Sequence, residues 1–308
     1  MRKGARKGAL NITCFNSAWP VSRDRRVSRF AIDDREREQA PKHMQLTIGS
    51  WNVRTLMENT NTDRPEGRTA LVARELSRYN IDMAALSETI RAGEGQLTEP
   101  TGGSFFCSGR NEEDRREAGV GIAIKKRLGI NERLVTLQVP LKYGRSFILV
   151  SVYAPTMTNS NDIKDKFYED LDATISSVPK PNKLLVLGDF NARVGHDHTT
   201  CLNIIGHHGI GSCNSNNLLL LKTCTTQKLL NTNRVYRLPL RNKTTWMHPR
   251  SKHWHVIDYI VTRQCDRQDI RVTKSKCGAE CWTDHRLIVS KLNMSIKPKR
   301  RPQGTIRS

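Results

Sequence analysis

The stretch Lys183-Leu184-Leu185-Val186-Leu187-Gly188-Asp189-Phe190-Asn191 decides how this chain reads. Its consecutive apolar residues make a buried strand. Gly188 breaks the run, and Asp189 and Asn191 follow at once. Side chains along a strand alternate faces, so Asp189 and Asn191 are expected to aim together at one spot beyond the strand's end. One is an anionic acceptor and the other a neutral donor and acceptor. That pair suits a water that must lose a proton beside an oxyanion that needs a donor. A strand closed by an Asp/Asn turn is the plainer reading of the same residues, and the rest of the chain has to decide between them.

Outward from this stretch, apolar runs that end in polar residues recur. Gln45–Val53 alternates like a strand and contains Asn52. Ile81–Leu86 is a strand closed by Ser87-Glu88-Thr89, and a Gly-rich loop is expected to follow. Phe105–Cys107 and Gly119–Ile124 are shorter apolar runs. Phe147–Tyr153 is rich in β-branched residues and ends at Ala154-Pro155. Val256–Val261 contains Asp258, Thr244–Trp246 is strand-like, and Asp284-His285 precede a last strand over Leu287–Leu292. Between the strands, Gly67–Tyr79 has the pattern of an amphipathic helix. Asn161–Val178 places Ile163, Phe167, Leu171 and Ile175 on one helical face, and Asn217–Leu229 reads as a third helix. His196–Ser212 is a polar loop. Several strands follow one another directly, which predicts a mixed arrangement of two packed sheets with helices outside.

The chain has 308 residues and a net charge of +21. Residues 1–43 carry +6 and residues 294–308 carry +5, so the middle is basic too. A polyanionic partner, nucleic acid first, is the expectation. Residues 1–43 are expected to be a disordered basic extension, 44–293 the folded domain, and 294–308 a disordered basic tail. The 8 cysteines include no Cys-x-x-Cys pair, the usage of a reduced intracellular protein. Zinc at Cys277, Cys281 and His285, or in the His-rich loop, is disfavoured because the usual ligand spacing is missing. No apolar run of ~18 residues is present, so no membrane helix is expected.

Trp51-Asn52-Val53, Ser87-Glu88-Thr89, Val152-Tyr153-Ala154-Pro155, Gly188-Asp189-Phe190-Asn191, Ile257-Asp258-Tyr259 and Thr283-Asp284-His285 stand in an order that resembles the endonuclease/exonuclease/phosphatase superfamily. That superfamily includes AP endonucleases, DNase I and the endonuclease domains of non-LTR retrotransposons. More narrowly, Trp51–Leu56, His207–Gly211 and Thr245–Pro249 resemble craniofacial development protein 2-like sequences, which in turn look like retrotransposon-derived endonucleases.

The resemblance implies a four-layer, DNase I-like α/β sandwich and a Mg²⁺-dependent phosphodiesterase, with Mn²⁺ as an alternative ion. Glu88 is implied as the principal metal ligand with Asn52 beside it, and Asp284 as a further ligand. Asp189 is implied as the group that orients and deprotonates water, steadied by Asn191. Tyr153 is implied as a phosphate contact, and His285 as a phosphate-binding electrophile held by Asp258. The expected activity is nicking of DNA in the manner of a retrotransposon endonuclease, by a monomer in the nucleus or cytoplasm. A phosphatase or RNA nuclease on the same scaffold, and a non-catalytic nucleic-acid-binding copy, are the alternatives. Two departures stand out. Arg54 occupies a position that is acidic in AP endonucleases, and Ser87 replaces a frequent Gln.

Overall fold

The structure, a computed structural model, describes residues 10–14, 28–30, 44–56, 67–90, 94–98, 104–108, 119–124, 134–141, 144–196 and 206–294. In chain order the strands begin with β1 (Leu10–Cys14), β2 (Ser28–Phe30), β3 (Met44–Asn52), β4 (Met83–Ser87), β5 (Glu94–Thr98), β6 (Ser104–Ser108), β7 (Val120–Ile124) and β8 (Leu134–Pro140). They continue with β9 (Ser146–Tyr153), β10 (Lys183–Asp189), β11 (Leu229–Asn231), β12 (Trp246–Met247), β13 (Trp254–His255), β14 (Asp258–Arg263), β15 (Ile270–Lys276) and β16 (Leu287–Met294). The helices are α1 (Arg68–Arg78), α2 (Asn161–Ser176) and α3 (Asn216–Thr226).

One sheet runs β11-β14-β10-β9-β8-β1-β2 and the other β15-β16-β3-β4-β7-β6-β5, while β12 and β13 form a separate hairpin. Both large sheets are mixed: β9 pairs with β10 and β3 with β4 in parallel, and the remaining pairs are antiparallel. Apolar residues from both strand sets, including Ile48, Ala85, Leu149, Leu185, Leu187, Ile260 and Ile288, meet between the sheets. The opposite faces are covered as well. Leu184, Val186 and Val261 pack under Phe167 and Leu171 of α2 and Leu220 of α3, and Leu86 and Val289 pack under Val72 and Leu76 of α1. The result is the expected four-layer sandwich. Burial on both faces explains why Leu184–Leu187 is an unbroken apolar run instead of an alternating one.

Topology then decides where the chain's polar residues go. In the parallel pairs the strand ends coincide: Asn52 is level with Ser87, and Asp189 with Tyr153. β14 runs antiparallel to β10 and starts with Asp258 opposite Asp189. β16 runs antiparallel to β3 and starts just after His285. All six polar clusters therefore fall on one edge of the sandwich. Gly188 allows the β9–β10 pair to close here, because a Cβ on it would overlap the Val152 carbonyl.

Several elements differ from expectation. β1 and β2 lie within the stretch expected to be a disordered extension; β1 pairs with β8 over Asn11–Cys14. The open edge of β8 offers backbone partners that a β-prone Asn-Ile-Thr stretch can use. The rest of residues 1–43 and all of 295–308 lie outside the described residues. Strands β8, β11 and β15 fall where none was expected, and β5 replaces part of the expected Gly-rich loop. The third helix stops at Thr226, and Leu229 belongs to β11, because Lys228 takes a left-handed φ of 50° that ends the helical path. On α2, Ile163 is exposed while Phe167, Leu171 and Ile175 are buried. Among the described residues no helix is long and apolar enough to cross a membrane.

Candidate active site

The rim opens into a cleft of about 640 Å³ lined by Arg54, Glu88, Asp189, Asn191, Arg193 and His285, with Trp246, His248, His253 and His255 on one wall. On its floor, Asn52 is the hub. Its Nδ2 donates to Glu88 Oε1 at 2.9 Å and to Asp189 Oδ2 at 3.0 Å. Its Oδ1 accepts from the Arg54 N–H at 3.0 Å. The Tyr153 hydroxyl donates to Glu88 Oε1 at 3.0 Å. Two carboxylates are thereby held toward each other by neutral donors.

Asp189 is buried at 1 % exposure. Burial first, and then the neighbouring Asp258 charge, push its carboxyl up to about 7, against the pull of His285 and the Asn191 and Asn52 donors. The His285 Nδ1 lies 3.0 Å from Asp258 Oδ2. Burial alone would lower the imidazole, but the Asp258 charge and hydrogen bond override it and carry it up to about 9. Asp189, Asp258 and His285 present ligand-type atoms within 4.8 Å of one another, which is the one such acid/His cluster among the described residues.

Loops fix the rest. Asn191 does not continue the strand. It turns at a left-handed φ of 47°, with its N–H donating to Asp189 Oδ1 at 2.8 Å. The shared aim of Asp189 and Asn191 thus comes from an Asx-type turn rather than from strand alternation. The Asn191 Nδ2 donates to Ala154 O at 2.9 Å, so this donor is tied to the neighbouring loop. Glu88 and Arg54 also take left-handed φ values, 54° and 57°, as expected where structure holds residues for function at a backbone cost. Thr283 Oγ1 donates to Asn52 O at 2.9 Å and Trp51 Nε1 to His285 O, tying the His285 loop to β3.

Asp284 sits between Arg54 and Trp246. Its Oδ1 lies 3.3 Å from Arg54 Nε, and its Oδ2 accepts from Trp246 Nε1 at 2.8 Å. Its charge faces the half-exposed Arg54 guanidinium. Tyr153 lies beneath Glu88, where its hydroxyl donates to that carboxylate. Of the remaining expected residues, Glu88, Asn52, Asp189, Asn191, Asp258 and His285 come together. The wall of Trp246, His248, His253 and His255, together with Arg193, was not singled out as lining a site. Its sequence signals are the Thr245–Pro249 stretch and the clustering of His and Trp in and between two very short strands.

The comparisons with known proteins bear on the family and the fold. The model of the Endonuclease/Exonuclease/phosphatase family matches residues 49–285. The chain belongs to this family. It is 31% identical over 263 residues to craniofacial development protein 2 of Bos taurus, covering 82% of this chain and 42% of that protein. The Tragulus javanicus protein of the same name is 30% identical, with 82% and 43% covered. The chain thus spans less than half the length of these relatives.

Among solved structures the fold resembles the Xenopus laevis APE2 catalytic domain, with a TM-score of 0.61, 14% identity, and 83% and 94% of the two chains covered. It also resembles the endonuclease domain of TRAS1, a telomere-specific non-LTR retrotransposon, at a TM-score of 0.54 and 13% identity over 81% and 98%. A third is the Neisseria 3′ phosphatase NExo bound to a product DNA hairpin, at 0.55 and 18% over 80% and 99%.

Proposed function

We propose that this chain is a divalent-metal-dependent endonuclease that nicks DNA, with Mg²⁺ as the ion and Mn²⁺ as a substitute. The observation that carries the reading is the floor itself: Glu88, Asn52 and Asp189 joined by one amide, beside a buried His285–Asp258 pair. A hard cation needs oxygen ligands. Glu88 fits, because it lines the cleft and its Oε1 is already held by two donors. Asn52 would share that ion only by exchanging its Arg54 N–H bond. When bound, the ion supplies positive charge at the scissile phosphate and at the oxygen that leaves.

The chain's own groups do the rest. Asp189 takes the proton of the attacking water, and its raised pKa keeps it close to the pH at which a base works best. His285, protonated by its pairing with Asp258, places positive charge where negative charge grows on the phosphate. The Asn191 turn holds Asp189 on line. Phosphodiester cleavage with departure of the 3′ oxygen leaves a 3′ hydroxyl. DNA is supported as the substrate by the net basic chain, by Arg54 and Arg193 in the cleft, and by a relative in fold that holds a DNA hairpin.

Incubation of the full chain with supercoiled plasmid tests this. Nicking is expected with Mg²⁺, absent in EDTA, and reduced at least about 10³-fold in Asp189→Ala. Persistent nicking by that variant, or faster hydrolysis of a small phosphomonoester or RNA than of plasmid, would overturn the reading.

A further inference from the structure

The α1 side of β15 and β16 carries positive charge that the fold leaves unmatched. Residues directly opposite in an antiparallel pair share a face, and so do residues two apart on one strand. Lys274 stands opposite Val289, Lys276 opposite Leu287 and Lys291 opposite Val272. Leu287 and Val289 pack against Val72 and Leu76 of α1. All three lysines therefore lie on that side of the sheet, Lys291 exposed and Lys274 and Lys276 half-buried. Tyr79, just past α1, joins them. The Lys276 Nζ is 4.8 Å from the centre of its ring and the Arg78 guanidinium carbon 5.3 Å. The strip begins close to the rim, because Lys276 is level with Leu287, two residues past His285.

None of the three lysines is in an ion pair among the described residues. On the neighbouring elements Glu75 is turned to Arg78 at 3.2 Å, and Asp82 Oδ2 accepts from the Thr47 N–H at 2.8 Å. Glu280, in the loop after β15, is exposed. The Lys276 amine is lowered by burial and then by Lys274 and Lys291, so the three stand close enough to repel one another. Residues 295–308, which follow β16, add 5 Lys or Arg and no Asp or Glu. Like charges gathered on one surface raise its potential and draw a polyanion. Two residues along a strand span about 7 Å, and one strand of a duplex carries a phosphate about every 3.4 Å of its axis. Lys274 and Lys276 are thus spaced for alternate phosphates of one backbone. The adjoining cleft favours a polynucleotide over an acidic polypeptide as the occupant.

We propose that Lys274, Lys276 and Lys291 form an auxiliary backbone track outside the cleft, which holds the stretch of polynucleotide flanking the cleavage site. The track rests on the substrate class of the nuclease reading and not on its chemistry. It adds affinity and a steeper salt dependence, and leaves bond cleavage to the floor of the cleft.

Binding of the full chain to fluorescent duplex DNA in EDTA tests this without any need for cleavage. The variant Lys274→Gln, Lys276→Gln, Lys291→Gln should bind about 10-fold more weakly at about 0.15 M salt, and its plot of log affinity against log salt should be shallower by about 2 to 3. The control Lys166→Gln, Lys180→Gln, Lys222→Gln removes the same charge from exposed lysines on α2, in the segment after it and on α3. It should produce less than about a third of either change. Should the first variant fail to fold, Lys291→Gln alone, at an exposed position, should reduce the slope by about 1. Hydrolysis of bis(p-nitrophenyl) phosphate, which has no flanking phosphate, should be the same in all of them. If none hydrolyses it, the nuclease reading falls while the binding comparison still decides the track. Equal losses in the two triple variants, or unaltered DNA binding without the strip lysines, overturn the proposal. Tighter binding to polyglutamate than to DNA of equal charge, lost with the same lysines, overturns it in favour of an acidic polypeptide.

Discussion

The floor and the wall of the cleft are built on different terms. The floor residues Asn52, Asp189 and Asp258 sit within the ends of central strands, at 1 % exposure each. Their positions follow from sheet register, and moving one would break a ladder. The wall is the β12–β13 hairpin, whose strands have two residues each. It hangs on the Asp284–Arg286 loop through Met247 N to Asp284 O at 3.1 Å and Arg286 N to Thr245 O at 2.7 Å. Arg286 stacks on the half-exposed Trp254 ring, 3.4 Å from its centroid. A rigid floor suits chemistry that demands sub-ångström placement, and a lightly tethered wall suits adjustable contact with a substrate.

The contrast breaks most sharply if a floor residue can be spared. Glu88→Ala and His285→Ala should each lower plasmid nicking by about 10²–10³-fold, with the effect in kcat. In Glu88→Ala, binding of Mn²⁺ measured by calorimetry should also be lost. A floor variant that changes only KM would erase the distinction from the wall. Arg54 comes next. With Asp284 neutralised by Arg54, calorimetry should count one Mn²⁺ per chain. Arg54→Glu, which returns an acid beside Asp284 and Glu88, should admit a second. Two ions bound to the wild type would restore Asp284 as a ligand.

Acidity sharpens the comparison in the metal-free protein. Asp189 keeps its proton in the fold up to about 7 against an ordinary 3.8, and His285 up to about 9 against an ordinary 6.5. In both cases the folded state binds more protons than the unfolded chain. Stability from these groups is therefore greatest at the acidic end and falls as pH rises through roughly 4 to 9. Chemical denaturation at several pH values should show that decline, and the double variant Asp189→Asn, His285→Gln should flatten it. The smallest effect belongs to the wall. His253→Ala should change kcat less than about 3-fold and act on KM, as fits an exposed residue of the cleft wall.

The floor was legible because each of its groups follows or interrupts an apolar run, a signature that survives translation from sequence to sheet. Asp189 read correctly for position but with the wrong local reason, since a turn and not strand alternation brings Asn191 beside it. The Arg54–Asp284 pair was not legible. It joins residues far apart in the chain, and only the meeting of β3 with the loop before β16 reveals it. β11 was hidden by its three-residue length and by a helix that ends at Thr226 with Lys228 in the left-handed position after it, without the glycine that usually announces such a stop. Of the hairpin only Thr244–Trp246 read as strand-like, since two-residue strands leave little period to count.

The pairing of β1 with β8 has a practical corollary. Were the polypeptide trimmed to begin at Met44, the edge of Val135–Gln138 that faces β1 would lose its neighbour and present a raw margin to other molecules. Such a shortened protein should self-associate through that margin, clumping at concentrations where the full-length chain stays dispersed.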